Sequence, residues 1–204
     1  NTRLVGSEMC IRDRISSSKH VYHVCYTGMR FNSWLLQHNL MSAEVEILTV
    51  GVIGTPGCGK TTFCQGSNIP VVTVKTLAEQ YECLGEVESD GAAPVDVEKL
   101  SKVWKKPEKL TLVDGHLAHF LPVDALLVLR CDPDVLRLRL QQRGYSQEKI
   151  RQNVEVEMLG GPWVELLEDK RPIYEGADGA LEWIINGCPF HSTPYSAIDW
   201  LSQP

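Results

Sequence analysis

Long apolar runs and an excess of positive charge are both missing from this sequence. No segment approaches the about eighteen consecutive apolar residues of a membrane-spanning helix, and the start lacks the basic, apolar, small-residue order of a secretory signal. The 20 lysines and arginines are outnumbered by 26 aspartates and glutamates, for a formal net charge of −6. This balance excludes a broad electrostatic surface for nucleic acid or an anionic membrane. We therefore expect a cytoplasmic protein with no membrane partner and no strong direct nucleic-acid contact.

Cysteine pairing is missing as well. The seven cysteines are odd in number, and no two of them form a Cys-x-x-Cys pair or another spacing typical of a zinc site or a disulfide framework. Reduced thiols are the simpler interpretation, and they agree with an intracellular protein.

The first forty residues lack any sustained helical or strand period, and they precede a Met-Ser-Ala sequence that begins at Met41. We interpret residues 1–40 as a non-native or disordered leader, with the native protein beginning at Met41. The alternative is a disordered extension that belongs to the native protein. Residues 41–204 have the length expected of one domain, and a hydrophobic content of 43% in the whole chain allows a sizeable core.

Short apolar runs alternate with helical segments from residue 45 onward. Runs of strand length are typical of buried parallel strands, and their alternation with helices predicts βαβ units in an α/β fold. We expect strands at residues 47–53, 71–74, 110–114 and 125–129, with an edge strand at residues 172–174. Residues 189–204 are predicted to form a C-terminal tail.

The sequence Gly54-Thr55-Pro56-Gly57-Cys58-Gly59-Lys60-Thr61 follows the first apolar run and opens a helix. This is the P-loop pattern, in which a tight glycine-rich turn directs closely spaced backbone amides at phosphate groups. The lysine of the pattern reaches the β- and γ-phosphates, and the Thr61 hydroxyl binds Mg²⁺. The sequence therefore predicts a site for a nucleoside triphosphate with magnesium, in which Lys60 is a catalytic residue and Thr62 adds a phosphate contact.

A carboxylate ends the third predicted strand. P-loop enzymes need an acid near the magnesium ion, commonly at the carboxyl end of a neighbouring strand, and Asp114 has this position. Asp114 is therefore a candidate metal ligand beside Thr61, with a turn residue or helix cap as the alternative. His116 could orient or deprotonate an attacking water, or only hydrogen-bond the loop. His119 is interpreted as structural.

Arginines are concentrated after the fourth predicted strand, at Arg130, Arg137, Arg139, Arg143 and Arg151. Phosphoryl transfer spreads negative charge over oxygen atoms, so mobile arginines that close over the site complement the loop lysine. Arg143 is the strongest candidate, because it precedes Gly144 and a short polar segment that suits a lid. Arg137 fits a solvated helix face.

Four segments together resemble one family. They are the P-loop with Thr62, the sequence Val113-Asp114-Gly115-His116, residues 128–133, and residues 143–150 beginning Arg143-Gly144-Tyr145, with residues 153–157 following the last of them. With these segments the chain resembles the archaeal putative adenylate kinase family, which is related to adenylate kinase isoenzyme six and to the eukaryotic ATPase of small-ribosomal-subunit maturation. The resemblance covers roughly residues 47–183.

The resemblance implies a three-layer P-loop NTPase with the nucleoside monophosphate kinase fold and a parallel five-stranded sheet. A nucleotide-monophosphate segment would lie at residues 73–95 and a lid at residues 142–152. The resemblance also implies AMP as a second substrate, and ribosomal protein uS11 and the small ribosomal subunit as partners. It makes Asp114 and His116 a motif linked to hydrolysis, makes Arg143 the catalytic lid arginine, and assigns ATP binding to Gly57, Gly59, Lys60, Thr61, Thr62 and Arg143.

Two features depart from the family pattern. The helix after the P-loop is several residues shorter, and Glu79 stands where better-known relatives carry an arginine in Leu-Ala-Arg. A monophosphate needs cationic or amide partners, and residues 73–95 contain only Lys75 as a cation. These departures count against an AMP site in residues 73–95.

The leading hypothesis is an adenylate kinase-like phosphotransferase that converts ATP and AMP to two ADP and also hydrolyses ATP. One alternative is a ribosome-assembly ATPase whose nucleotide state gates partner binding. Another is a small-molecule kinase of different specificity. A signalling GTPase is disfavoured, because the sequence contains no Asn-Lys-x-Asp base-recognition motif.

Overall fold

The computed structural model describes residues 49–86, 93–189, 192 and 197–202. The predicted leader at residues 1–40 and the first two residues of the first predicted strand lie outside this part. Within the described part, the helices are too short or too polar to cross a membrane.

The described residues contain one parallel sheet of five strands in the order β2-β3-β1-β4-β5. The strands are β1 (Thr49–Ile53), β2 (Val71–Thr73), β3 (Thr111–Asp114), β4 (Ala125–Val128) and β5 (Ile173–Glu175). Every residue of β1, β3 and β4 is buried. Strands covered on both faces need no alternation of polar side chains, which explains their nearly continuous apolar composition. The predicted five-stranded parallel sheet is confirmed.

Six α-helices and two 3-10 helices connect the strands in the described part of the chain. The α-helices are α1 (Lys60–Gly66), α2 (Val74–Gln80), α3 (Val97–Val103), α4 (Pro133–Gln142), α5 (Gln147–Met158) and α6 (Ala180–Ile185). The 3-10 helices are Ala118–Phe120 and Gly161–Glu165. Side chains of Thr73, Asp96, Asp132 and Ser146 accept backbone hydrogen bonds at the starts of α2, α3, α4 and α5. These caps fix where each helix begins.

Two apolar clusters cover the two faces of the sheet, giving three layers. One cluster joins sheet residues such as Val50 and Leu127 to α1, α4, α5 and α6. The other joins residues such as Val113 and Leu126 to α2, α3 and Trp163. Side chains of successive strand residues point to opposite faces, so one buried strand contributes to both clusters.

The strand order places β3 on one side of β1 and β4 on the other. In open parallel sheets a ligand crevice forms at the carboxyl ends of the strands where the order changes sides in this way. The P-loop follows β1, Asp114 ends β3, and Arg130 lies two residues beyond β4. All three therefore meet at the same edge of the sheet.

The predicted lid contains the end of α4, a turn at Gly144 and the start of α5. The turn has a φ of 73° at Gly144, which glycine adopts without the cost that a side chain would add. The polar residues after Ser146 are thus the first turns of a helix.

Candidate nucleotide site

The turn after β1 requires glycine at two positions. Gly54 has a φ of 143°, and a Cβ atom there would lie 2.3 Å from the carbonyl oxygen of Leu129. Gly57 has a φ of 95°, and a Cβ atom there would lie 2.9 Å from the side chain of Leu136 in α4. Neither position has room for a side chain. The P-loop is therefore packed closely between the end of β4 and helix α4.

Lys60 opens α1 and folds back over the P-loop. Its Nζ atom donates hydrogen bonds to the carbonyl oxygen of Gly54 at 2.7 Å and to that of Thr55 at 3.1 Å. Gly59, with a φ of 116°, occupies the N-cap of the helix. The ammonium group is thus held beside the first two residues of the loop by neutral carbonyl partners.

Thr61 and Asp114 bring α1 and β3 together. The Oγ1 atom of Thr61 donates a hydrogen bond to Oδ2 of Asp114 over 2.8 Å, and Asp114 is buried. Hydroxyl and carboxylate oxygens are hard ligands that suit Mg²⁺, which keeps several waters and substrate oxygens around it. The described residues contain no cluster of three or more His, Cys, Asp or Glu side chains that could hold a metal. The hydroxyl and the carboxylate of Thr61 and Asp114 suit an ion whose coordination is completed by phosphate and water.

His116 lies two residues beyond Asp114 and is exposed. The protein around the ring still desolvates it, and this effect, followed by the positive charge of Lys60, lowers the pKa of His116 below its ordinary value. A lesser lowering comes from His119, and Glu165 opposes it. At neutral pH the ring is uncharged and able to accept a proton.

His119 is buried and lies behind this turn. Its Nε2 atom is 2.7 Å from Oε2 of Glu165, and its backbone carbonyl accepts a hydrogen bond from Arg171 at 2.8 Å. These contacts tie the 3-10 helix after β3 to the segment before β5. They fit the structural role predicted for His119.

A cavity of about 630 Å³ lies beside the P-loop. This volume falls within the roughly 300–1,000 Å³ that is usual for small-molecule sites. Its lining includes Gly57, Gly59 and Thr62 of the P-loop and α1, Arg139, Gln142 and Arg143 at the end of α4, and Ala177 and Leu181. The structure thus brings the predicted lid arginine and the phosphate-binding loop to one cavity.

The predicted set of mobile arginines divides into different roles. Arg143 is exposed at the cavity, and no carboxylate of the described residues pairs with it. Arg139 braces the P-loop, since one of its Nη atoms lies 3.3 Å from the carbonyl oxygens of both Gly57 and Cys58. The side chain of Arg130 is only 1% exposed and is held by two carboxylates. The hypothesis that Arg130 is a mobile arginine over the site is therefore wrong.

The predicted monophosphate segment contains β2, α2 and an antiparallel bridge between Leu84 and Val95. Residues 87–92 of this segment lie outside the described residues. Lys75 and Glu79 form a 3.9 Å ion pair on α2, with side chains 80% and 52% exposed. Exposed pairs at this distance are weak. Even so, the lysine of the predicted segment is paired with Glu79, the position at which the resemblance predicts an arginine.

Glu157 is a buried acid of the site that sequence reasoning missed. It is fully buried in α5, and its carboxylate accepts hydrogen bonds from the hydroxyl of Thr55 in the P-loop and from Nε of Arg130 at 2.7 Å. The sequence did contain an indication that Glu157 is buried. Ile150, Val154 and Glu157 share the buried face of α5 at helical spacing, so an acid occupies a core position.

Cys58 lies inside the P-loop but is not activated. Burial raises the pKa of its thiol, against the opposing effect of Lys60. Reactive cysteines require a lowered pKa. The raised pKa therefore favours a structural role for Cys58, as a small side chain packed beside the loop, over redox control.

The parallel sheet, the P-loop at its switch point, the Thr61–Asp114 pair and the adjoining cavity define a P-loop enzyme of the nucleotide kinase class. Residues 50–160 match the model of the AAA domain family. A protein of Archaeoglobus fulgidus named "Putative adenylate kinase" is 37% identical over 170 residues, which cover 76% of this chain and 93% of that protein. A protein of the same name from Methanocaldococcus jannaschii is 30% identical, with coverage of 76% and 94%.

The chain belongs to this family of archaeal adenylate kinase-like proteins. The family predicted from the sequence is thereby confirmed, whereas the finer relation to isoenzyme six and to the ribosome-maturation ATPase stays a prediction. A solved structure named as a "putative kinase" from Chloroflexus aurantiacus aligns with 70% of this chain and 98% of that chain, at a TM-score of 0.44 and 14% identity.

Proposed function

We propose that the chain transfers the γ-phosphoryl group of ATP to AMP, giving two molecules of ADP, and that it also hydrolyses ATP. The observation that carries the proposal is the Thr61–Asp114 hydrogen bond beside the lysine of the P-loop. A triphosphate with its magnesium ion needs a hydroxyl, a carboxylate and an ammonium group close together, as in Thr61, Asp114 and Lys60. The names of the archaeal relatives favour AMP as the acceptor.

Each predicted site residue has a role in this proposal. Backbone amides at Gly57 and Gly59 bind the phosphates, with Thr62 as a further contact, and Lys60 stabilises the negative charge that develops on the transferred group. Mg²⁺ held by Thr61 and Asp114 would neutralise phosphate charge and orient the reacting group. Arg143 closes over the cavity from the lid. This arrangement supplies positioning and electrostatic stabilisation, which are the main requirements of phosphoryl transfer.

Transfer and hydrolysis place different demands on His116. In transfer, a phosphate oxygen of AMP forms a bond to the γ-phosphorus while the bond to the β–γ bridging oxygen breaks, and ADP leaves with that electron pair. A monophosphate is already ionised near neutral pH and needs no base. In hydrolysis the nucleophile is water, and neutral His116 accepts its proton. The proposal therefore assigns His116 to hydrolysis.

The test follows nucleotide products of the full chain with Mg²⁺ and ATP, with and without AMP. Transfer yields two ADP and no phosphate per ATP consumed, whereas hydrolysis yields one ADP and one phosphate. Lys60→Ala should lower both rates by about 100-fold or more, because it removes a charge that stabilises the transition state. ADP formation that does not rise above the AMP-free reaction would overturn the kinase proposal. Transfer to another acceptor would favour the small-molecule kinase.

The finer predictions from the resemblance remain separate proposals. Nucleotide-gated binding of uS11, and through it a role at the small ribosomal subunit, rests on family resemblance and on no contact among the described residues. A pull-down with and without ATP tests it, and capture that is absent or independent of nucleotide contradicts it. Cytoplasmic localisation likewise stays a prediction.

A further inference from the structure

The C-terminal segment of residues 197–202 meets the P-loop through one buried carboxylate. Nε1 of Trp200 donates a hydrogen bond to Oε1 of Glu157 over 3.2 Å. The other oxygen of Glu157 accepts a hydrogen bond from the hydroxyl of Thr55, the second residue of the loop. Thr55 is 3% exposed and Glu157 is 0% exposed. A direct chain of hydrogen bonds therefore joins the C-terminal segment to the phosphate-binding turn.

Arg130 adds a second connection between the segment and the site. Its Nε and Nη1 atoms donate to Glu157 at 2.7 Å and Glu175 at 2.8 Å, and Nη1 also reaches the carbonyl oxygen of Ile198 at 3.3 Å. The backbone amide of Ile198 donates to Oε2 of Glu175 over 2.9 Å. The guanidinium carbon lies 6.0 Å from the centre of the Trp200 ring. The segment thus contacts all three charged members of the cluster.

The charges of this cluster do not balance. One guanidinium faces two carboxylates, Glu157 and Glu175, and all three side chains are at most 5% exposed. Buried carboxylates are stable only when their oxygens are hydrogen-bonded, so the excess negative charge depends on neutral donors. The C-terminal segment supplies two of them, the indole of Trp200 and the amide of Ile198. Without the segment, each carboxylate loses one donor, and Glu157 is the carboxylate that contacts the loop.

We infer that Ile198 and Trp200 of this segment are part of the nucleotide site and that Trp200 is a positioning residue for the P-loop. Glu157 has its full set of donors only when the loop and the segment are both in place. Nucleotide binding and seating of the segment therefore stabilise one another, and this coupling is reciprocal. A partner that lifts the segment would weaken nucleotide binding. The inference rests on the proposed function to the extent that the loop binds ATP.

The first test measures the Kd of the full chain for Mg²⁺ and the β,γ-imido analogue of ATP by calorimetry. Trp200→Phe keeps an aromatic ring and removes the indole donor, so its Kd should rise by about fivefold or more. The matched control is Leu201→Ala, because Leu201 is the next residue and is 63% exposed. Its Kd should stay within about twofold of the wild type. In ATP hydrolysis, Trp200→Phe should raise KM and leave kcat unchanged.

The second test needs no change in the segment. Hydrogen exchange of the Ile198 amide should slow when the wild-type chain binds the same analogue, and Lys60→Ala should show no such slowing. Unchanged exchange in a wild-type chain that binds the analogue overturns the coupling, and an unchanged Kd in Trp200→Phe overturns the role of Trp200. A wild-type chain that fails to bind the analogue overturns the proposed function as well.

Discussion

His116 differs from the charged residues of the site because it can act as a base only when it is neutral. Removing it by His116→Ala should lower ATP hydrolysis by about 100-fold, the lower end of the effect usual for a general base. Transfer to AMP should fall much less, because the monophosphate is already ionised. Phosphate release and ADP formation, measured in parallel, separate the two reactions. Equal losses in both would remove the special role of His116.

The lowered pKa of His116 also determines the acid limit of hydrolysis. The groups that act on it are Lys60 and His119, which lower its pKa, and Glu165, which raises it. Because the pKa of His116 lies below the ordinary value of about 6.5, kcat for hydrolysis should stay level as the pH falls to about 6.5. It should decline only at lower pH. His116→Gln, which cannot titrate, should lack this decline in its residual rate. A decline that persists in the variant would assign the acid limit to another group.

The same shift affects folding stability. The unfolded chain takes up the proton on His116 more readily than the folded chain does. The contribution of neutral His116 to stability is therefore fully present above its unfolded pKa and is lost as the pH falls toward its folded pKa.

At the scale of elements, helix α2 carries the clearest test of the acceptor. Glu79→Arg replaces a carboxylate by a group that binds phosphate in bidentate fashion, and it frees Lys75 from its ion pair. We expect KM for AMP to fall by about tenfold, in line with a hydrogen bond between charged groups. Hydrolysis without AMP should not change. The control is Glu98→Arg on α3, which makes the same charge change at another exposed position. An equal effect of both variants would show a general charge effect instead of an acceptor site.

The elements that sequence reasoning predicted are those determined by nearby residues. The P-loop, the strands and the helix starts depend on turn glycines, apolar runs and capping side chains within a few positions. The end of β2 was one residue off, because the Thr73 hydroxyl accepts a hydrogen bond from the Thr76 amide and starts α2 at Val74. Such local competition between strand and helix is not visible in composition alone.

The buried cluster behind the P-loop could not be predicted in the same way. Its hydrogen bonds join residues far apart in sequence, with Thr55 and Glu157 separated by 102 positions and Arg130 and Glu157 by 27. Arg130 therefore looked like one more arginine of a phosphate site. Only the packing of α5 against the end of β4 shows that its charge is already neutralised.

At the scale of the whole molecule, this cluster joins segments from both ends of the described chain. It contains Thr55 after β1, Arg130 after β4, Glu157 on α5, Glu175 on β5 and Trp200 near the C-terminal end. Thr55 and Arg130 follow strands, Glu175 ends one, and Glu157 lies on a helix that packs on the sheet. Loss of one member should therefore affect the stability of the domain as well as the nucleotide site.

Glu157→Ala is the variant that measures this effect. It removes the carboxylate that accepts hydrogen bonds from Thr55, Arg130 and Trp200 and leaves these buried and part-buried donors without that acceptor, so the free energy of unfolding should fall by about 3–5 kcal/mol. Glu155→Ala is the matched control on the same helix. Its partner is Arg151, with both side chains exposed, so the urea midpoint should hardly move. Urea unfolding with equal m-values measures both variants. A Glu157→Ala midpoint equal to that of the control would show that the cluster does not hold the domain together.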